Sequence, residues 1–166
     1  MLNTMSTIIF FFIISTAQAG LKDGIRGKTW GQILYAQEMP ECEMKSAAGE
    51  PGFVCTEEVS GVEGVTVSYS VHPVEGLYSI FMVAKGYSAC STLREVIGEA
   101  WGRGYASNQY LTKTMDPWSW NEGGVIGSFK YNPYIDECSI LAMHSKKYDK
   151  KKKEDKEQAK KASSSL

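Results

Sequence analysis

The sequence predicts an α+β domain: an antiparallel sheet of about five strands with one helix packed on it. Three observations carry this reading. Val65-Thr66-Val67-Ser68-Tyr69-Ser70-Val71 alternates apolar and polar without a break, the period-2 signature of a half-buried strand. Leu93, Val96, Ile97, Ala100 and Trp101 fall at i, i+3, i+4, i+7 and i+8, one apolar stripe at helical spacing. Turn chemistry punctuates the chain between such segments, as in His72-Pro73-Val74-Glu75-Gly76 and Asn132-Pro133.

Taken in order, the elements begin with a candidate strand at 30–36, followed by a loop from Glu38 to Gly52. Val65 to Val71 and the apolar run Leu77 to Ala84 make a hairpin, the second strand covered on both faces. In the helix that follows, Thr92-x-x-Glu95 is a capping box at the start and Gly102 and Gly104 are stops. Val125 to Tyr131 and Cys138 to Met143 supply the last two strands. The core order is strand-strand-helix-strand-strand, with no internal repeat. This is similar to many small periplasmic domains that carry a helix between two hairpins and a Trp-containing loop before the second. The resemblance covers residues 62–145 and implies the fold, not a function.

The N-terminus adds a location. Residues 7–14 contain a short apolar run, and Ala17-Gln18-Ala19 matches the small-x-small pattern of a signal-peptidase site. The run is well short of the roughly 20 residues that span a bilayer. The expected organisation is therefore a signal peptide at 1–19, a single domain at 20–145 and a Lys-rich tail at 146–166, disordered or a frayed, solvated helix, in a periplasmic or secreted protein. From Lys146 to Lys161 there are nine lysines against four acids, whereas residues 20–145 hold nine basic and fifteen acidic groups. A segment with so few apolar residues has little to offset its ordering entropy.

Four cysteines, Cys42, Cys55, Cys90 and Cys138, read as two disulfides in an oxidising compartment. Of the three pairings, Cys42–Cys55 with Cys90–Cys138 is favoured, because each bridge then closes one contiguous section of chain. The absence of C-x-x-C spacing and the presence of only two histidines argue against a structural metal site. No cofactor is expected.

Few groups suggest chemistry. Cys90, in Ala89-Cys90-Ser91-Thr92-Leu93 before the helix, stands where a helix N-terminus favours thiolate, and His144 ends a later strand where a general base could stand. This arrangement is similar to NlpC/P60 cell-wall peptidases, and the resemblance implies a hydrolase with Cys90 as nucleophile and His144 as base. Ala89 and Thr92 depart from the flanking residues of that family, and a Cys90–Cys138 bridge would abolish the nucleophile. His72 reads as a solvated turn residue. The acid pairs Glu57-Glu58 and Asp136-Glu137 read as solvated edges, and Gly123-Gly124 has no phosphate-cradling pattern.

The candidate contact residues are Trp118 and Trp120, at i and i+2 in a turn-rich stretch, pointing the same way if extended. The sequence therefore favours a non-enzymatic binding, inhibitor, immunity or accessory protein with a protein partner in the cell envelope. Its Lys-rich end offers a contact to an anionic membrane or cell-wall surface. Nucleic acid is not indicated, since the lysines are not interleaved with aromatics. N-terminal sequencing of secreted material is expected to start at Gly20; material starting at Met1 would overturn the leader assignment.

Overall fold

The computed structural model describes residues 20–47, 50–102, 104–106 and 117–164, so the leader assigned to 1–19 lies outside the described residues. The elements run β1 (Gly24–Ile25), β2 (Lys28–Thr29), β3 (Glu43–Ala47), β4 (Glu50–Val59), β5 (Val62–His72), β6 (Gly76–Lys85), α1 (Tyr87–Trp101), β7 (Tyr105–Ala106), β8 (Trp118–Glu122), β9 (Val125–Asn132), β10 (Glu137–His144) and α2 (Ser145–Ser163). Strands β3 to β10 form one eight-stranded sheet in the order β3-β4-β5-β6-β10-β9-β8-β7, and β1 pairs with β2 in a separate two-stranded hairpin. Every pairing is antiparallel. The α+β class holds, with a larger sheet and one more helix than the sequence suggests.

Side-chain alternation decides which sheet face becomes the core. Val65, Val67, Tyr69 and Val71 of β5 are all buried, as their period requires. Across the sheet they register with Met82 and Ile80 of β6, which in turn face Ile140 and Ala142 of β10. Phe129 and Val125 of β9 continue the same layer, fully buried. Helix α1 covers this face with Cys90, Leu93 and Ile97. The opposite face is half-dressed: Phe81 and Ile126 stand exposed there among serines.

The β5–β6 connection shows how local chemistry sets the register. The His72 Nδ1 accepts from the backbone N–H groups of Val74 (3.3 Å) and Glu75 (3.2 Å). Gly76 then takes φ +68°, where a side chain would also collide with the Gly31 carbonyl. Tyr78 is an extra residue in the pairing, a bulge between Ser79, opposite Ser70, and Leu77, opposite Val71. His72 is therefore a buried, hydrogen-bonded member of the turn and not a solvated residue.

Several sequence expectations are corrected. Residues 30–36 are not a strand: Gly31 has φ +87°, which interrupts extended backbone, and only Gly31 and Gln32 bond to the main chain of Leu77. The stretch from Glu38 to Gly52 is not simply a loop, because β3 and the beginning of β4 lie in it. Helix α1 starts at Tyr87, five residues before Thr92, so Thr92 is no cap; its hydroxyl donates to the Ser88 carbonyl one turn back, at 3.1 Å. Gly102, with φ +77°, does end the helix. The Lys-rich end is helical from Ser145 to Ser163, the second of the two forms its composition allows.

Two disulfides tie the layers: Cys42–Cys55 joins the segment before β3 to β4, and Cys90–Cys138 joins the first turn of α1 to β10. They are the pairings favoured from chain order, and they fit an oxidising extracellular compartment. On the chain-entropy model, closing 13 and 48 residues contributes about 3 and about 4 kcal/mol. Among the described residues no helix is long and apolar enough to cross a membrane. Replacing Cys90 and Cys138 together with alanine is expected to cost about 2–5 kcal/mol in chemical denaturation, more than the same change at Cys42 and Cys55. An unchanged midpoint would show that the staple is redundant.

Candidate functional site

Helix α1 and the β1–β2 hairpin stand on the same side of the sheet and leave a cleft of about 600 Å³ between them. Ile25, Met82, Val96, Ile97, Ala100 and Trp101 give it an apolar floor and wall, and Asp23, Arg26 and Lys28 bring charge to its rim. Gly24 lets the two strands of the hairpin approach closely, since a Cβ there would collide with the Lys28 carbonyl. Trp30 anchors the end of the hairpin by donating its indole N–H to the Leu21 carbonyl at 2.9 Å. A cleft of this size and lining suits an apolar group presented by a ligand or partner.

Arg26, with φ 53°, separates this cleft from a smaller depression of about 230 Å³ that it also lines. Its guanidinium pairs with Glu57 at 2.6 Å and donates to the Glu58 carbonyl at 3.2 Å. Glu57 in turn accepts from the Tyr69 hydroxyl at 3.3 Å. Burial, then the Glu57 charge, pushes the Tyr69 phenol up to about 12, so it stays a neutral donor throughout the physiological range. Glu57 is thus a partnered strand residue that lines the smaller depression. The Cys42 and Cys55 sulfurs lie close to it, the only compact set of metal-capable atoms among the described residues. Those sulfurs are bonded to each other, and a disulfide lacks the thiolate charge that holds a metal.

Cys90 and His144, the candidate nucleophile and base, are not brought together. Cys90 is fully buried and bonded to Cys138, so it offers neither a thiolate nor access. Cys138 and His144 occupy opposite ends of β10, six residues and roughly 20 Å apart along the strand. His144 instead abuts the edge of the Trp30 ring at 6.3 Å. Burial, then the Lys147 charge, holds its imidazole below the usual histidine range.

Trp118 and Trp120 do share a face, as extended residues two apart must, but that face is the one beneath α1. Trp120 is 5 % exposed, edge-on to Trp101 at 5.3 Å, and donates its indole N–H to the Gly102 carbonyl at 2.8 Å. Trp118 is half-buried under the Arg94 guanidinium, 3.8 Å from its ring centre. Gly104 makes the room, since a Cβ there would sit 2.8 Å from the Trp120 ring. The two tryptophans therefore buttress α1, and Trp120 is closed to a partner.

The cleft itself was not found from sequence. Its apolar wall is the α1 stripe, which at sequence level reads only as core, and nothing local announces that the β1–β2 hairpin stands off from it. Compared with known proteins, the chain matches no family model, no curated protein and no solved structure.

The depressed His144 has a thermodynamic consequence. Its folded-state pKa lies below the usual 6.5, so the neutral form is favoured by folding and the contribution is present above pH 6.5. It is lost as pH falls below that value. Melting temperature is expected to decline from pH 7.5 to 5, with a shallower slope in His144→Gln; parallel slopes would remove His144 from the explanation.

Proposed function

We propose that this chain is an exported, non-enzymatic binding protein that seats an apolar anchor of an envelope protein in the cleft between β1–β2 and α1. The observation that carries the proposal is the cleft itself: a concave site of about 600 Å³ with an apolar floor and charge only at its rim. Interface hot spots take this form, a large apolar side chain buried in a pocket and surrounded by polar contacts that exclude water. Arg26 and Lys28 at the rim favour acidic residues flanking the anchor, and Asp23 disfavours them on its own side.

Two further features support binding over catalysis. The thiol most suited to nucleophilic attack is bonded in the Cys90–Cys138 staple. That staple fixes the first turn of the helix that forms the wall of the cleft, so the site is preformed and binding would order little new chain. The leader sequence and the two disulfides agree with function outside the cytoplasm.

Ala100→Phe, which fills the cleft from a partly exposed helix position, is expected to leave the fold intact and abolish capture of the partner from native envelope extract. Equal capture by the native protein and Ala100→Phe would move the contact elsewhere. In parallel, thiol titration of native protein is expected to find no reactive cysteine; one reactive group at Cys90 would restore the hydrolase.

A further inference from the structure

Helix α2 has two dissimilar sides. Its inner side is a short row, Lys147, Tyr148, Lys151 and Glu154, set three and four residues apart and all at least partly buried. Tyr148 packs on Tyr78 with ring centres 6.2 Å apart. Lys151 is 7 % exposed, pairs with Asp155 at 2.7 Å and lies over the Tyr78 ring at 5.9 Å. Glu154 faces the His72 Nε2 at 3.6 Å, and Lys147 and Lys150 hold the Glu75 carboxylate, the former at 4.0 Å. Glu75 is held below the usual carboxylate range by the Lys150 hydrogen bond.

This docking sorts the charge of the helix. Of its four acids, Glu154 and Asp155 are engaged with the inner row. At 100° per residue, Lys146, Lys152, Lys153, Lys156 and Lys160 all fall within a sector of about 120° opposite Lys151, with Asp149 the one acid among them and the terminal Ser145 and Ser163 the neutral residues. All five lysines are exposed. A helix of 19 residues is about 28 Å long, so the outcome is a helical bar whose outer edge is cationic, on a body with an acidic excess.

We propose that the outer edge of α2 is a docking surface for an anionic phospholipid bilayer, bound peripherally through headgroup phosphates. Charge complementarity selects the partner class. Lysines are point donors suited to arrays of phosphate, and a straight row of them matches a plane of anionic headgroups. The outward sector carries no aromatic or amide side chain, and Tyr148, the one aromatic of the helix, is turned inward on Tyr78. Such an edge lacks the stacking platforms with which proteins hold nucleic-acid strands. It also lacks the apolar stripe with which amphipathic helices enter the acyl region, so the contact is electrostatic and reversible.

The test uses the mature full chain and vesicles of phosphatidylcholine with or without phosphatidylglycerol, which makes the surface anionic. Sedimentation is expected to show binding to the anionic vesicles only, falling steeply as salt rises and the screening length shrinks below about 8 Å. Replacing Lys152, Lys153, Lys156 and Lys160 with glutamine should weaken binding at least about 100-fold with the melting temperature unchanged, because these side chains are exposed. Arginine at the same positions should restore binding. Glutamine at Lys45, Lys85 and Lys130 of the body should change it little. Equal binding by the α2 glutamine variant, equal binding to neutral vesicles, insensitivity to salt, or preferential capture by duplex DNA in competition would each overturn the proposal.

Discussion

The disulfide between Cys90 and Cys138 is the constraint on which the rest of the structure turns. It joins the first turn of α1 to the central strand β10, with Cα atoms 5.7 Å apart, and both sulfurs lie in the core. Cys138 also registers with Ala84 of β6, so the bridge holds the helix over the seam where the two halves of the sheet meet. That seam is the one pairing between strands distant in sequence, and covering it closes the meander β3–β6 and the meander β10–β7 into one layer. The same bond removes the only cysteine placed for nucleophilic chemistry. Stability and the lack of thiol reactivity therefore have a single cause.

The far end of α1 is fixed differently. Trp101, Trp120 and Trp118 stack edge to face in sequence, and Arg94 lies on the outermost ring. Aromatic pairs of this geometry contribute about 0.5–1.5 kcal/mol each beyond the area they bury, and a cation over an indole adds a similar amount. A helix held at one end by a covalent bond and at the other by packed rings has little freedom to tilt. The cleft wall formed by Val96, Ile97, Ala100 and Trp101 is therefore rigid, and the variable part of the site is the short β1–β2 hairpin opposite.

What the sequence disclosed followed from period and chain order. The alternation at 65–71 identified β5 and its buried face, the apolar run identified β6, and the stripe through Leu93 and Ile97 identified the buried side of α1. The disulfides followed because nested or crossed bridges would have spanned separate sections of chain. Strands β3 and β4 escaped because Glu43, Lys45, Pro51 and Gly52 imitate loop composition, while the core contacts of β4 come from Phe53, Cys55 and Val59, further along the strand. The sequence places Trp118 and Trp120 on one strand face but leaves their burial open, since two such rings look alike whether water or α1 covers them. The cleft depends on the distance between two elements 70 residues apart, which no local pattern encodes.

Helix α2 shows why charge composition misleads about order. The expectation of a disordered or solvated tail counted apolar side chains and found few, yet docking needs only a narrow row. Tyr148 buries a ring against Tyr78, and the aliphatic stem of Lys151 lies along the same ring while its ammonium reaches Asp155. The remaining inner groups are polar on both sides of the contact, with Glu75 meeting two lysines of α2 and Glu154 facing His72. Partly buried pairs of this kind keep more of their Coulomb attraction than exposed ones, and several sharing one carboxylate cost less ordering entropy per contact. The acidic excess of the body, which at sequence level contrasts with the basic end, thus supplies the partners that seat the helix. Once Glu75 and His72 have engaged one side of α2, the lysines of the other side are left arrayed along an edge.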